Sequence, residues 1–135
     1  MLLLQPMFNE EKLTEIRNLC LGHSAIKLLY LFGSQSSGTA GPLGDYDFAV
    51  YIDKNESTDS FLLPEISAQL SKVIGSDKVD VCDLAELDAP ELAFEIIQGE
   101  LLYEIEPYKV IVEPHIMNIY FDFKIGLRNN FLTRD

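Results

Sequence analysis

The stretch LLYLFGSQSSGTAGPLGDYDFAV, residues 28–50, constrains this chain more than any other. It opens on an apolar run, Leu28 to Phe32, of the length and continuity of a buried strand. The run stops at Gly33 and Ser34, and a segment rich in Ser and Gly follows. A second run begins with two carboxylates, Asp45 and Asp47, and turns apolar at Phe48. Alternate residues of a strand share a face and each residue advances ~3.3 Å, so Asp45 and Asp47 project from one face about 6–7 Å apart at the backbone. From there two flexible carboxylates can converge on a small divalent cation site. Hard cations such as Mg²⁺ take carboxylate oxygens and keep positions open for substrate phosphates. The Gly-Ser pair suits the other half of that chemistry. Glycine lets backbone approach a phosphate closely, and amides at a following helix N-terminus favour an anion.

Each half alone is ordinary: an Asp-x-Asp usually ends a solvated strand, and a Gly-Ser after an apolar run usually marks a turn. Ten residues separate Ser34 from Asp45, and together the halves form Gly-Ser-x10-Asp-x-Asp with apolar flanks. This pattern resembles the signature of the DNA polymerase β-like nucleotidyltransferases, and of its minimal nucleotidyltransferase branch most closely.

Size and composition bound the rest. The chain has 135 residues, read as one nucleotidyltransferase domain over 1–135 with a real core. The apolar start MLLLQPM is too short for a signal peptide and lacks a basic flank. No run approaches the ~20 apolar residues of a membrane span. Cys20 and Cys82 fit reduced thiols of a cytoplasmic protein, without the spacing of a zinc site. Ten basic against 22 acidic residues give −12, a surface that repels a phosphate backbone, so nucleic acid is excluded as the main partner.

Periodicity predicts an α/β (α+β) domain, a small mixed sheet packed by helices. A helix is expected over residues 9 to about 21, with Asn9 as N-cap and Leu13, Ile16, Leu19 and Cys20 inward. Strands follow at 26–32 and 45–52, with a short helical turn expected at 34–38 and a loop at 41–44. A helix is predicted from about 60 to 74, with Pro64 tolerated only near its first turn. Residues 78–84 read as a third strand, with Val79, Val81 and Asp83 on one face and Asp80, Cys82 and Leu84 on the other. A helix at 90–98 and a short strand at 101–104 come next. The stretch from about 108 to 131 reads as helical with a break or fresh start at Pro114. There Ile116, Ile119, Tyr120 and Phe123 form the inward stripe and Phe121 lies off it. His23 reads as a surface or capping residue, and Asp53 as structural.

Phosphoryl and nucleotidyl transfer by a metal pair ~3.5–4 Å apart wants about three carboxylates. Asp45 and Asp47 therefore need a partner, and spacing leaves Asp80 and Asp83 both open. The resemblance favours Asp80, since family members carry the third acidic residue early in such a strand. It further implies that Asp45 and Asp47 hold two Mg²⁺ ions, one arriving with ATP. Asp80 would complete the catalytic ion's shell and help deprotonate the acceptor. Gly33 and Ser34 would hold the β- and γ-phosphates, and LAFEIIQGELLYEIE looks like the family's helix-Gly-strand segment. Two departures stand out: Gln35 where many relatives have Arg, and Gly44 where many have Ser. Relatives of this size typically pair with a HEPN-domain ribonuclease toxin and silence it by transferring AMP to a toxin tyrosine. The resemblance thus implies an adenylyltransferase antitoxin in a hetero-oligomer, or a homo-oligomer. A transferase for a small hydroxylated molecule such as an aminoglycoside, and a non-catalytic binder, stand as alternatives. Phe121, an aromatic off the stripe, is the expected docking residue for the toxin or a second copy.

Overall fold

The computed structural model describes residues 7–33 and 45–132, with side chains as far as 129. The expected helical turn at 34–38 and loop at 41–44 lie outside the described residues.

Helix α1 (Glu10–Leu21) begins at Asn9, whose side-chain carbonyl accepts from the Lys12 amide at 2.9 Å, a cap worth ~1 kcal/mol. Strand β1 (Ile26–Phe32) follows, then β2 (Tyr46–Ile52), α2 (Leu62–Ile74) and β3 (Val79–Asp83). Pro64 is accommodated in the first turn of α2, where its missing N–H has no helical partner to lose. A one-turn 3-10 helix (Leu84–Glu86) leads to α3 (Pro90–Ile97), β4 (Glu100–Glu104) and α4 (Tyr108–Leu132). The strands form one sheet in the order β3-β2-β1-β4. Here β1 is antiparallel to both β2 and β4, while β2 and β3 run parallel. The sheet is mixed, and β4 lies at one edge.

Alternation along the strands divides the core. Leu29 and Leu31 of β1 and Phe48 and Val50 of β2 face α1 and α2, where Ile16, Cys20, Ile66 and Leu70 meet them. Leu28, Tyr30 and Ala49 face the other way, onto Ala93 and Ile96 of α3 and Val112 and Ile116 of α4. Both faces of β1 are therefore covered, as its unbroken apolar run requires. Each large side chain taken fully out of water contributes ~1.5–3 kcal/mol.

Two expectations about the last helix are corrected. Helix α4 runs through Pro114 without a break. Proline there removes one bond to the Val110 carbonyl, but Pro114 and Val110 are both exposed, so water can take that carbonyl. The expected inward stripe also ends early. Ile116 is buried and Tyr120 stacks on Phe94 with ring centroids 4.0 Å apart, but Ile119 and Phe123 are exposed. The reason is length. Twenty-five helical residues span ~37 Å, whereas seven strand residues span only ~23 Å, so α4 outruns the sheet beneath it. Its inner half is anchored by two polar contacts: the Tyr30 hydroxyl donates to Glu113 at 2.6 Å and the Tyr108 hydroxyl to Asp53 at 2.7 Å.

The turn from α3 into β4 admits no side chain. A Cβ on Gly99 would sit 2.4 Å from the Leu31 carbonyl oxygen and 3.1 Å from Phe32 Cβ. Gly126, in the exposed part of α4, has nothing within 4 Å of that position. Gly99→Ala is therefore expected to cost at least ~1–3 kcal/mol as overpacking against backbone that cannot yield. Gly126→Ala should instead gain ~0.5–1 kcal/mol by lowering the entropy of the unfolded chain. Urea melts of the two variants check the opposite signs.

Candidate active site

Strand β1 delivers its chain to the site and then turns away at Gly33, whose φ is +79°. Phe32 pairs with Asp47 across the antiparallel ladder, so Gly33 lies against the aspartate. A Cβ there would come within 2.9 Å of Asp47 Oδ2. Glycine is thus required twice, for the left-handed backbone and for the approach of the carboxylate. Ser34, Gln35 and Gly44 lie outside the described residues.

Asp47 and Asp80 are direct neighbours in the parallel β2–β3 ladder. Neighbouring strands run ~4.8 Å apart and laterally paired residues share a face. Ala49 and Cys82, two residues on in each strand, pack toward α3 and α4, so Asp47 and Asp80 face the α3 side. Asp45 precedes β2 on the same parity. Asp47 is half-buried, and Asp45 and Asp80 are exposed. Burial comes first in holding the Asp47 carboxyl above the usual carboxylate range, followed by the negative charges of Asp80, Asp45 and Glu95.

Glu95 is the residue that sequence reasoning missed. It lies one helical turn before Gly99, which touches β1 at Leu31 and Phe32, so α3 carries it over the strand ends. The only signal for it was the i, i+4 spacing to Gly99, beside the inward Ala93 and Ile96.

The remaining candidates are held elsewhere. Asp83 bonds Lys54 and caps the 3-10 helix by accepting from the Ala85 amide at 3.1 Å. Asp53 accepts from the Asn55 amide and the Tyr108 hydroxyl, and these bonds hold its carboxyl below the usual range. His23 Nε2 stands 2.8 Å from Gln69 Oε1, between α1 and α2 and away from the aspartates. Burial pushes the Cys20 thiol up to about 12, and raises that of Cys82; neither thiol offers a thiolate ligand. A cavity of about 330 Å³ between the 3-10 helix and α4, lined by Tyr51, Leu84, His115 and Ile119 among others, includes none of the three aspartates.

The donors gathered at the strand ends are carboxylate oxygens, the ligands a hard cation such as Mg²⁺ prefers. The like charges crowded around Asp47 are what a divalent cation relieves. Among the described residues no three acidic, His or Cys side chains already stand close enough to hold a metal ion. Among those residues, too, no helix is long and apolar enough to cross a membrane.

Comparison with known proteins agrees with this geometry. Residues 14–108 match the family described as polymerase beta, nucleotidyltransferase. A curated relative from Aphanizomenon flos-aquae, protein adenylyltransferase MntA, is 33% identical over 87 residues, 58% of this chain. That match spans 57% of the relative, a little over half its length. Among solved structures, a chain of a toxin-antitoxin complex with AMP-PNP superposes with a TM-score of 0.70 at 22% identity, covering 92% of this chain and 96% of that one. A chain from the complex of tri-AMPylated Shewanella oneidensis HEPN toxin with MNT antitoxin gives 0.67 at 19% identity, covering 90% and 94%. With its Gly-Ser-x10-Asp-x-Asp strands, its adjacent third aspartate and a family match over most of its length, the chain belongs to the polymerase β nucleotidyltransferase family.

Proposed function

We propose that this protein is a protein adenylyltransferase that moves AMP from ATP to a tyrosine of a partner HEPN-type toxin and so acts as its antitoxin, in the cytoplasm. The observation that carries the reading is the lateral pairing of Asp47 with Asp80, beside a glycine that lies against Asp47. The adenylyltransferase name of the curated relative supports the nucleotide and the reaction. The solved toxin-antitoxin neighbours, one with an ATP analogue and one with an AMPylated toxin, support the partner.

In this reading Asp45, Asp47 and Asp80 hold Mg²⁺, which when bound neutralises the triphosphate and the charge that develops in transfer. Gly33 and Ser34 hold the β- and γ-phosphates. Gly33, lacking a side chain, leaves the Asp47 carboxylate its place beside the turn where the phosphates would lie. Asp80, more exposed and one strand outward, has access to the incoming hydroxyl and takes its proton. The acceptor oxygen then bonds to the α-phosphorus and pyrophosphate leaves. Tyrosine suits the role because its hydroxyl, with a pKa near ~10, gives up its proton more readily than an aliphatic alcohol.

The direct test is intact mass of the co-expressed partner after incubation with ATP and Mg²⁺. Increments of one or more AMP units are expected. Unmodified partner that is nonetheless neutralised would mean inhibition by occlusion alone. Asp80→Asn should lower transfer by ~10²–10⁴, the range for removing a general base. Asp83→Asn should stay within a few-fold of wild type, since that side chain is committed to Lys54 and the Ala85 amide. The reverse order would break the assignment of the third carboxylate.

The crowded charge predicts a stability signature as well. A carboxyl whose folded pKa is raised binds its proton more tightly when folded, so wild type loses stability as pH climbs from the unfolded value through the folded one. Without divalent metal, Asp47→Asn should therefore melt above wild type at neutral pH. The gain should vanish in acid below the ordinary aspartate range, where Asp47 is protonated anyway. Thermal melts in chelator across that range check the sign.

In this reading a docked partner places the acceptor, because holding two reactants together contributes ~7–11 kcal/mol. Phe121 is 51% exposed and makes edge contacts with Phe94 and Tyr120. Phe121→Ala should weaken capture of the toxin, or self-association, while the melting midpoint moves by no more than a few degrees. A large fall in that midpoint with capture intact would make Phe121 a packing residue.

A further inference from the structure

Positive charge is almost absent from the walls of this site. No Lys or Arg occurs from residue 28 to 53 or from 79 to 108, the stretches that carry Gly33, the three aspartates and Glu95. Lys78 stands at the very edge of the second stretch. Its backbone is pinned on both sides: its amide donates to Ser76 Oγ at 3.1 Å, and its carbonyl accepts from the Tyr46 amide at 2.8 Å. The second bond is part of the Tyr46–Val79 pairing that opens the β2–β3 ladder, so Asp45 and Lys78 are the residues directly preceding that pair in the two parallel strands. Side chains alternate along extended backbone and paired residues share a face. Lys78 therefore belongs to the same face as Asp80, Asp47 and Asp45.

Its side of the site is equally defined. Strand β3 flanks β2 on the side away from β1, so two strand spacings, roughly 10 Å, separate the Lys78 backbone from that of Gly33. A triphosphate cradled at Gly33 lies on the β1 side. Lys78 stands with Asp80 on the other, where the acceptor approaches.

We propose that Lys78 is a catalytic residue on the acceptor side, its ammonium donating a hydrogen bond to the oxygen of the acceptor hydroxyl. The assignment rests on the transferase reading above. As that oxygen bonds to the α-phosphorus, its proton passes to Asp80 and the bond from phosphorus to the pyrophosphate oxygen breaks, with the electron pair leaving on pyrophosphate. An oxygen giving its proton to Asp80 develops negative charge near Asp45, Asp47 and Glu95, whose charge opposes it to the extent that a bound cation leaves it unneutralised. One cation on the same face offsets that opposition at the atom where negative charge develops.

Lys78→Met removes the charge at similar length, and Lys78→Arg keeps it. The test uses the full chain with its co-purified acceptor protein, ATP and Mg²⁺. It measures kcat, the KM for ATP, and binding of a fluorescent ATP analogue. Lys78→Met is expected to lower kcat on the order of tenfold, less than the ~10²–10³ of a buried oxyanion donor because the site is open to water. Analogue affinity and the KM for ATP should stay within twofold, and Lys78→Arg should recover most of the rate. Weakened binding of the analogue with kcat preserved would make Lys78 a triphosphate ligand and overturn the proposal. So would an equal loss in Lys78→Arg, or a rate that falls only in step with the melting midpoint. Transfer that Lys78→Met leaves intact overturns this assignment alone, whereas a wild type that moves no AMP overturns the transferase reading and this assignment with it.

Discussion

Strand β1 is the member on which everything else rests. Leu28, Leu29, Tyr30 and Leu31 are all fully buried, so neither face of this strand can meet water and each must be roofed by helices. Its two neighbours take up its backbone hydrogen bonds on both edges. Polar chemistry is thereby expelled from the middle of the sheet and can emerge only at strand ends, where the chain leaves the ladder. Gly33 and Asp47 meet at such an end, and the parallel addition of β3 brings Asp80 to the same level. The fold does not surround its site. It presents it on a rim.

A rim of carboxylates is electrostatically unfavourable, and the molecule shows the consequence at Asp47, whose carboxyl is held above the usual carboxylate range by burial and then by three negative neighbours. Relief by internal ion pairs would have been available: elsewhere lysines pair with acidic side chains, as Lys27 does with Glu56 and Lys124 with Glu91. Strands β2 and β3, which carry Asp47 and Asp80, contain no Lys or Arg. Functional sites characteristically break a rule that the surrounding structure obeys.

How much of this was legible depended on whether the signal was local. The bounds of β1 and the parity of Asp45, Asp47 and Asp80 follow from apolar continuity and a period of two, and the structure has β1 at the residues expected. The choice between Asp80 and Asp83 was not legible from spacing, because both sit in one short strand. Register separates the two in space: Asp80 falls opposite Asp47, while Asp83 bonds Lys54 and the Ala85 amide. Glu95 escaped notice because nothing in a helix sequence says which strand end lies below it. Pro114 misled because its cost depends on whether water reaches the Val110 carbonyl, a property of the exposed helix face and not of the proline.

Helix α4 links this arrangement to the outside. From residue 108 onward four basic residues accompany three acidic ones, whereas the stretch before carries six basic and nineteen acidic. The final helix thus presents a surface that does not repel a second acidic molecule. It is also the one that exposes apolar side chains in number, including Val110, Met117, Phe121 and Ile125. Positions 110, 114, 117, 121 and 125 recur at steps of four and three, so they share one outward stripe, the pattern by which one helix packs along another. The opposite stripe is spent on the sheet through Val112 and Ile116. A helix apolar on both sides and anchored on only one is built to be covered on the other. Because the same helix also contacts α3 through Tyr120 and Phe94, whatever covers it is held against the helix that carries Glu95 toward the aspartates.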